Sequence, residues 1–135
     1  MSQKIVPFLT FNGNTKEIMD FYADVFPDSK IVKILPYGEM ASNEDEKDYI
    51  FHGEMEIMGM TFQFMDMVPS MEQAPTINWA SSLYVELDDE TQFDQVFQKL
   101  SNGGVIGMGP EPAGDMKMAS SITDKYGVTW NPFYK

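Results

Sequence analysis

The sequence predicts an α+β fold built from two copies of one module, in which a strand and a helix are followed by three strands. The chain of 135 residues is 43% hydrophobic and 13% aromatic and contains no cysteine, a composition typical of one globular domain that folds by packing alone. Two segments repeat apolar residues at helical spacing. The phrases at residues 59–63 and 127–131 are similar at every position.

The first half begins with a β-prone run at residues 5–11 and a turn at Asn12-Gly13. Asn14 is a favoured N-cap residue, and Glu17 three positions later predicts a capping box. The apolar stripe of the helix that follows comprises Ile18, Phe21, Tyr22, Val25 and Phe26. The remaining strands are expected at residues 31–35, 49–57 and 60–67, with a hairpin turn at Met58-Gly59. The acidic run at residues 44–46 predicts a solvated loop.

The second half repeats this order after a connection at residues 68–80. Alternating residues predict a half-buried strand at residues 82–87. Asp89 is expected to cap the second helix, with Gln92 at the capping-box position. The apolar stripe of this helix comprises Phe93, Val96, Phe97 and Leu100. The closing strands are expected at residues 105–108, 116–123 and 128–133.

The two halves align with a nearly constant offset. Asn14 and Asp89 lie 75 residues apart, and the hairpin glycines Gly59 and Gly127 lie 68 residues apart. The smaller second offset matches a shorter loop in the second half. We therefore expect one domain over residues 1–135 with pseudo-repeat halves at 1–67 and 81–135.

The charge balance excludes several classes of partner. Nine basic residues, all of them lysine, stand against 21 acidic residues, which gives a net charge of −12. Such a chain repels nucleic acids and anionic membranes, so we expect it to bind neither. No apolar segment is long enough to span a membrane. Pro7 interrupts the N-terminal apolar run, which is therefore unlike a signal peptide. We expect a cytoplasmic location.

Four phrases point to a known family when they are taken in order. They are residues 11–14 running into 18–22, residues 52–59, residues 83–89 and the ending at residues 124–130. Their order resembles the PhnB-like subgroup of the vicinal oxygen chelate superfamily, which includes glyoxalase I, bleomycin-resistance proteins and extradiol dioxygenases. The resemblance implies a bent mixed sheet around a cavity, and a homodimer with cavities at or near the interface.

The subgroup is often labelled a ubiquinone-pathway methyltransferase. An enzyme that uses S-adenosylmethionine normally has a glycine-rich turn from strand to helix in a larger α/β domain. The turns here, at residues 12–14 and 88–89, are of a different kind. The sequence therefore does not support that label.

In the metal-dependent members of the superfamily, four ligands face the cavity. Transferred by position, they fall on Pro7, Gln63, Ser82 and Asn131. Divalent metals prefer imidazole and carboxylate ligands in proteins, and these residues offer neither. We therefore expect no metal and no other cofactor.

His52 is the only histidine, and strand alternation places Glu54 on the same face. One interpretation is an acid/base pair that faces the cavity. The other is a solvated strand face or a hydrogen-bonded structural pair. The sequence is compatible with both interpretations.

The family register also assigns side chains to the cavity. They are Leu9, Phe11, Thr61, Gln63, Met65, Ser82, Tyr84, Glu86, Thr129, Asn131 and Phe133. Phe8 is expected to face the helices instead. Trp79 either stacks on a ligand or partner subunit or pins its loop to the core.

This mixed cavity lining suits a neutral or weakly cationic, partly aromatic ligand. The leading hypothesis is metal-independent binding of a small organic molecule, in the manner of sequestration by bleomycin-resistance proteins. One alternative is a lyase or isomerase that uses His52 and Glu54, with or without an atypical metal. A second alternative is a non-catalytic scaffold that acts through its dimer surface.

Overall fold

The structure, a computed structural model, describes residues 4–71 and 74–135. The chain divides into two compact units, Met1–Pro75 and Thr76–Lys135. Each unit contains a strand, a helix and three further strands in that order, which confirms the α+β class and the tandem βαβββ modules. The single domain with halves at 1–67 and 81–135 stays a prediction, and the boundary between the units falls in the expected connection.

The first unit is a four-stranded mixed sheet with one helix. Its elements are β1 (Phe8–Phe11), α1 (Thr15–Val25), β2 (Lys30–Pro36), β3 (Ile50–Ile57) and β4 (Met60–Asp66). The strand order is β1-β4-β3-β2, and β1 runs parallel to β4 while the other pairs are antiparallel. Met58 and Gly59 both have positive φ, at 51° and 82°, as expected for the tight β3–β4 hairpin.

The second unit repeats this topology. Its elements are β5 (Ser82–Glu86), α2 (Glu90–Ser101), β6 (Val105–Ala113), β7 (Met116–Thr123) and β8 (Thr129–Tyr134). The strand order is β5-β8-β7-β6, with β5 parallel to β8. Helices α1 and α2 have 11 and 12 residues, and within the described parts of the chain no helix has the length and apolarity that a membrane crossing requires.

Each helix buries its apolar stripe against its own sheet. In α1, Ile18, Met19 and Tyr22 are completely buried, and Gly53 of β3 leaves room for Met19, whose Sδ would lie 2.8 Å from a Cβ at that position. In α2, Phe93, Val96 and Leu100 cover the equivalent surface beside the buried Trp130. Full burial of each large apolar side chain contributes about 1.5–3 kcal/mol, so these faces fix the helices on the sheets.

The two helices are capped differently. The Asp89 side chain accepts the Gln92 N–H at 2.9 Å, and the Gln92 side chain accepts the Asp88 N–H at 3.1 Å. This confirms the predicted cap. Asn14 occupies the N-cap of α1 but makes no side-chain cap bond. The Asp66 carboxylate from β4 replaces it by accepting the N–H of Thr15 at 3.0 Å.

Two predicted strand boundaries differ from the observed ones by more than one residue. Strand β1 begins at Phe8 rather than at residue 5. Strand β6 runs from Val105 to Ala113 instead of ending at residue 108, because its ladder with β7 continues through three register shifts. Strand β2 has a similar shift between Ile31 and Lys33.

The acidic loop before β3 is not fully solvated. Glu46 is 3% exposed, and its carboxylate accepts the Ser70 N–H at 2.8 Å and the Ser70 hydroxyl at 2.7 Å. Because a buried carboxylate needs hydrogen-bond donors, these two bonds explain its burial. The prediction of a solvated loop was wrong at this residue.

Candidate functional site

The face of the second sheet that lies opposite α2, here called the second open face, presents polar side chains. The β5–β8 register pairs Ser82 with Thr129, Tyr84 with Asn131 and Glu86 with Phe133. Paired residues share a sheet face, and the intervening Trp130 and Pro132 are buried on the helix side. The six residues that the sequence assigns to a cavity in this half are Ser82, Tyr84, Glu86, Thr129, Asn131 and Phe133, and all six lie on the second open face.

A pocket of about 600 Å³ lies on the second open face. Its lining comprises Trp79, Ala80, Ser82, Gly107, Met108, Ser121, Thr123, Thr129 and Asn131. Of the six predicted residues, only Ser82, Thr129 and Asn131 belong to the lining. Tyr84 lies further along the same face, where its ring contacts the Phe133 ring edge-on at 5.5 Å between centroids.

The sequence prediction missed the part of the lining that comes from β6 and β7. Ser121 and Thr123 alternate with the buried Ile122, and this pattern places both on one face of β7. Only the β7–β8 register, in which Thr123 pairs with Thr129, shows that this is the face of the pocket. Met108 joins them because a register shift in β6 pairs it with Ser121.

Hydrogen bonds order the polar floor of the pocket. The Asn131 Nδ2 donates to Ser82 Oγ at 3.1 Å and to the Leu83 carbonyl at 3.2 Å. The Oγ1 atoms of Thr123 and Thr129 share a hydrogen bond of 2.8 Å. These bonds hold the side chains in place without a ligand, so the floor is preorganised.

Apolar side chains form the walls of the pocket. Trp79 is 78% exposed and Met108 is 43% exposed. Trp79 lies beside a turn in which the Asn78 side chain accepts the Ala80 N–H at 2.9 Å. An exposed indole beside a polar floor gives the pocket a surface on which a flat ring can pack.

The first sheet has an equivalent face opposite α1, here called the first open face. Alternation and the β3–β4 register place Glu54, Thr61, Gln63 and Met65 there, and the Gln63 amide donates to the Glu54 carboxylate at 3.4 Å. His52 lies on the same side of β3, and its Nε2 is buried with no hydrogen-bond partner among the described residues. An unpaired buried nitrogen costs free energy, which singles out this histidine.

Leu9 and Phe11 do not lie on the first open face. The β1–β4 register pairs Leu9 with Phe64 and Phe11 with Asp66. Phe11 is 3% exposed and stacks on Phe64 with 6.4 Å between ring centroids. Phe8 points to the open face instead and is 58% exposed. The sequence prediction for β1 was therefore displaced by one residue, and such a displacement reverses every side chain of a strand.

The same register corrects one position of the family's ligand set. Phe8 pairs with Gln63 and Tyr84 pairs with Asn131. The residue two positions before Tyr84 is Ser82, so its counterpart in the first unit is Val6 and not Pro7. Valine offers no donor atom to a metal.

The resulting donor set is poor, since it contains two neutral amides and one hydroxyl. In addition, no group of three or more His, Asp or Glu residues within residues 4–71 and 74–135 is placed to hold a metal ion. Zinc and similar divalent metals prefer imidazole, thiolate or carboxylate ligands. The residues present therefore do not fit the usual metal centre of the superfamily.

Two solved structures are similar to the chain along nearly its whole length. A putative 3-demethylubiquinone-9 3-methyltransferase, a PhnB protein from Bacillus cereus, is 33% identical, with a TM-score of 0.86 over 98% of this chain and 100% of that one. Protein PA1353 from Pseudomonas aeruginosa is 25% identical, with a TM-score of 0.84 over 99% and 98%.

More distant structures share the fold alone. The fosfomycin resistance protein FosX from Listeria monocytogenes is 7% identical, with a TM-score of 0.64 over 98% of this chain and 91% of that one. No curated protein matches the chain.

The family model described as 3-demethylubiquinone-9 3-methyltransferase matches residues 3–132. The chain therefore belongs to this family, the PhnB-like branch of the vicinal oxygen chelate superfamily.

Proposed function

We propose that the protein binds an uncharged small organic molecule in the pocket of the second unit, without a metal. The observation that supports this most directly is the pocket itself, with a volume of about 600 Å³. Ligand pockets commonly measure about 300–1,000 Å³ and combine apolar walls with a few fixed polar groups. The hydrogen-bonded floor below Trp79 and Met108 has this combination.

The charge distribution supports an uncharged ligand. None of the nine described lining residues is ionisable, so none of them pairs with a charge. The chain as a whole has a net charge of −12, which repels anions over distances of about a Debye length. A bound carboxylate or phosphate therefore lacks a compensating partner, while a neutral molecule loses little by entering.

Sequestration is the role that we propose for this binding. The fold is shared with FosX, which is a fosfomycin resistance protein, and the superfamily that the sequence resembles includes bleomycin-resistance proteins. Methyl transfer is less well supported, although the family description names it. The turns before α1 and α2 are not the glycine-rich strand-to-helix turns typical of enzymes that use S-adenosylmethionine, and among the described residues each sheet has only one parallel strand pair.

Native mass spectrometry and tryptophan fluorescence test the proposal together. Mass spectrometry of freshly purified protein is expected to detect an organic adduct. Fluorescence of the exposed Trp79 is expected to change on binding, while the buried Trp130 supplies a constant background that a Trp79→Phe variant isolates. Ligand binding to the native state alone also raises the unfolding temperature.

An Asn131→Leu variant supplies the decisive comparison, with Gln98→Leu as its matched control. Both changes replace an amide by leucine in the second unit, but Gln98 is exposed on α2, on the other side of the sheet. We expect Asn131→Leu to lose the adduct and the fluorescence change, and Gln98→Leu to keep both. Equal loading of the two variants would contradict the proposed site.

A second candidate function is acid/base catalysis by His52 and Glu54. The supporting observations are the unpartnered buried Nε2 of His52 and the Glu54 carboxylate that Gln63 holds on the same sheet face. A general base near neutral pH is most often an imidazole. A lyase or isomerase reaction of this kind removes a proton next to a carbonyl group.

Deuterium incorporation tests this second candidate without knowledge of the natural substrate. A panel of α-hydroxy ketones is incubated with the protein in D2O, and proton NMR detects exchange at carbon. We expect His52→Ala and Glu54→Gln to abolish exchange. Glu56→Gln is the matched control, because Glu56 lies on the same strand face but is exposed and faces Lys30 at 3.9 Å. No exchange above background in the unmodified protein would eliminate the candidate.

We also propose that the chain forms a homodimer, as the resemblance implies. Exposed apolar residues support this, since the edge strand β2 and its neighbour expose Val32, Ile34, Leu35 and Phe51 to between 37% and 48%. Apolar side chains exposed along a sheet edge are a common feature of interaction sites. Sedimentation velocity is expected to show a dimer that Val32→Lys converts to a monomer. A monomer for the unmodified chain would refute the proposal.

A further inference from the structure

We propose that the pocket of the second unit selects a neutral carboxamide or lactam attached to a flat apolar ring. This inference rests on the proposed function and names the chemical class of its ligand. It follows from counting which hydrogen-bonding atoms of the floor are already used and which remain.

The orientation of the Asn131 amide is fixed by its neighbours. A backbone carbonyl only accepts hydrogen bonds, so the atom 3.2 Å from the Leu83 oxygen must be Nδ2. The second Nδ2 hydrogen goes to Ser82 Oγ at 3.1 Å. Both donors of the amide are therefore in use. The atom left for a ligand is Oδ1, an acceptor with no partner among the described residues.

The hydroxyl groups of the floor can donate hydrogen bonds to a ligand, whereas the free atom of Asn131 can only accept one. Ser82 Oγ accepts from Asn131, so its own hydrogen is available to a ligand. The Thr123 and Thr129 hydroxyls share one hydrogen bond, in which only one of the two hydrogens is used. The second hydrogen is a further donor. The floor thus places one acceptor, Asn131 Oδ1, beside a donor on the adjacent Ser82.

A ligand that matches this pair needs a donor and an acceptor side by side. A primary carboxamide or a lactam has both, because its N–H and C=O groups lie on the same edge. A carboxylate offers only acceptors, so it opposes Asn131 Oδ1 with a lone pair and brings an uncompensated charge. An ester or a tertiary amide lacks the N–H and leaves Oδ1 unpaired. Of these classes, only the primary carboxamide or lactam satisfies both the Asn131 acceptor and the Ser82 donor.

The walls specify the rest of the molecule. Trp79 presents an indole that is 78% exposed, and Met108 presents a thioether that is 43% exposed. Aromatic rings stack on indole, and thioethers make favourable contacts with ring edges. A flat ring that bears the amide therefore contacts the walls while its polar edge reaches the floor.

Two bicyclic probes that differ by one methyl group test this inference. 2-Quinolinone is a lactam with an N–H donor, and N-methyl-2-quinolinone has the same ring and carbonyl without the donor. Each is titrated into the full-length protein while proton–nitrogen NMR follows the two indole N–H signals. The Trp130 indole donates to Asp124 at 3.0 Å inside the core, so its signal serves as an internal control.

We expect 2-quinolinone to shift the Trp79 signal and to bind about tenfold more tightly than the N-methyl probe, since an unpaired polar group costs roughly this factor. Asn131→Leu should remove the difference between the probes. Ser82→Ala, at an exposed strand end, is a second variant that should reduce it. Gln98→Leu should leave the tenfold difference unchanged.

The failures of this inference and of the proposed function are distinguishable. Equal affinity of the two probes, with a shift at Trp79, would overturn the amide selection and leave pocket binding intact. No shift with either probe, together with an adduct that Asn131→Leu loses in native mass spectrometry, would also overturn only the ligand class. No shift and no adduct would overturn both.

Discussion

The Asp66 carboxylate, at the end of β4, holds the first residue of α1, Thr15, which lies 51 positions earlier in the chain. One oxygen accepts the Thr15 N–H at 3.0 Å and also its hydroxyl, while the other oxygen accepts the Ile50 N–H at 2.8 Å. Asp66 is 2% exposed. A single buried carboxylate therefore joins the start of the helix to two strands of the first sheet.

Replacing this carboxylate tests how much it stabilises the first unit. Asp66→Asn keeps the shape but turns an acceptor into an N–H donor that faces other donors. Hydrogen bonds to charged groups contribute about 1.5–3 kcal/mol each, and they are not additive, so we expect a loss of about 3 kcal/mol in the free energy of unfolding, measured with urea. Asp20→Asn is the control, because Asp20 only forms an exposed pair with Lys16, and such pairs contribute up to about 1 kcal/mol.

Because of Tyr37, we expect the free energy of unfolding to fall at alkaline pH. Burial raises the pKa of its hydroxyl above the ordinary 10.0, and the nearby Asp66 and Glu46 carboxylates raise it further. Above pH 10 the unfolded chain then loses this proton while the native chain keeps it. The unfolded state therefore binds fewer protons, and the free energy of unfolding falls as pH rises through that window.

Chemical unfolding between pH 8 and about 11 measures this slope. Tyr37→Phe should flatten it and also cost about 1 kcal/mol at neutral pH, because the hydroxyl donates to the Asp66 carbonyl at 2.7 Å. Some slope should remain from Tyr134, whose pKa is also raised, by burial and then by Glu90 and Asp94. Tyr84→Phe, at a site 78% exposed, should keep the full slope. An undiminished slope in Tyr37→Phe would show that another group titrates.

Met58 offers a route to higher stability. Its φ of 51° lies in the left-handed region, which costs most residues about 1–2 kcal/mol and suits asparagine better. We expect Met58→Asn to raise the free energy of unfolding by about 0.5–1 kcal/mol. The control is Met60→Asn, one position past the turn in β4, where asparagine is disfavoured in a strand. A gain in both variants would point to the loss of methionine rather than to the turn.

The Asp124 carboxylate is expected to influence the fluorescence emission of Trp130 in the second unit. Its carboxylate accepts the Trp130 indole N–H at 3.0 Å and the backbone N–H groups of Tyr126 and Val128. In a Trp79→Phe background, Asp124→Asn should shift the Trp130 emission and destabilise the chain by about 2–3 kcal/mol. Asp115→Asn is the control, because Asp115 is exposed and lies 3.7 Å from Lys135. Unchanged Trp130 emission in Asp124→Asn would contradict this role.

The helices and the β3–β4 hairpin were predictable because residues close together in the sequence determine them. Helical spacing identified α1 and α2, and the Met58-Gly59 turn identified the β3–β4 hairpin. The cap of α1 was not predictable, since Asp66 is distant in sequence and Asn14 had the preferred local chemistry. Strand parity failed in β1, where Phe8 and Phe11 are equally apolar and alternation gives no direction.

The site was predictable where one face of a strand differed from the other. Ser82, Thr129 and Asn131 alternate with buried apolar residues in β5 and β8, so their common face follows from the sequence. The places of Ser121 and Met108 do not follow from the sequence. The face of Ser121 depends on the β7–β8 register, and that of Met108 depends on a register shift in β6, and local preferences determine neither. His52 was identified as the only histidine, but its unpaired Nε2 is a property of packing.

The register shifts in β2 and β6, one edge strand of each sheet, affect how copies of the chain can associate. The first shift in each strand adds Val32 to β2 and Gly107 to β6, and these two residues lie 75 positions apart, the same offset as the helix caps. An uneven outer strand is a poor template for adding another strand. At these two edges, each module therefore exposes apolar side chains but lacks the continuous backbone ladder along which fibrils grow.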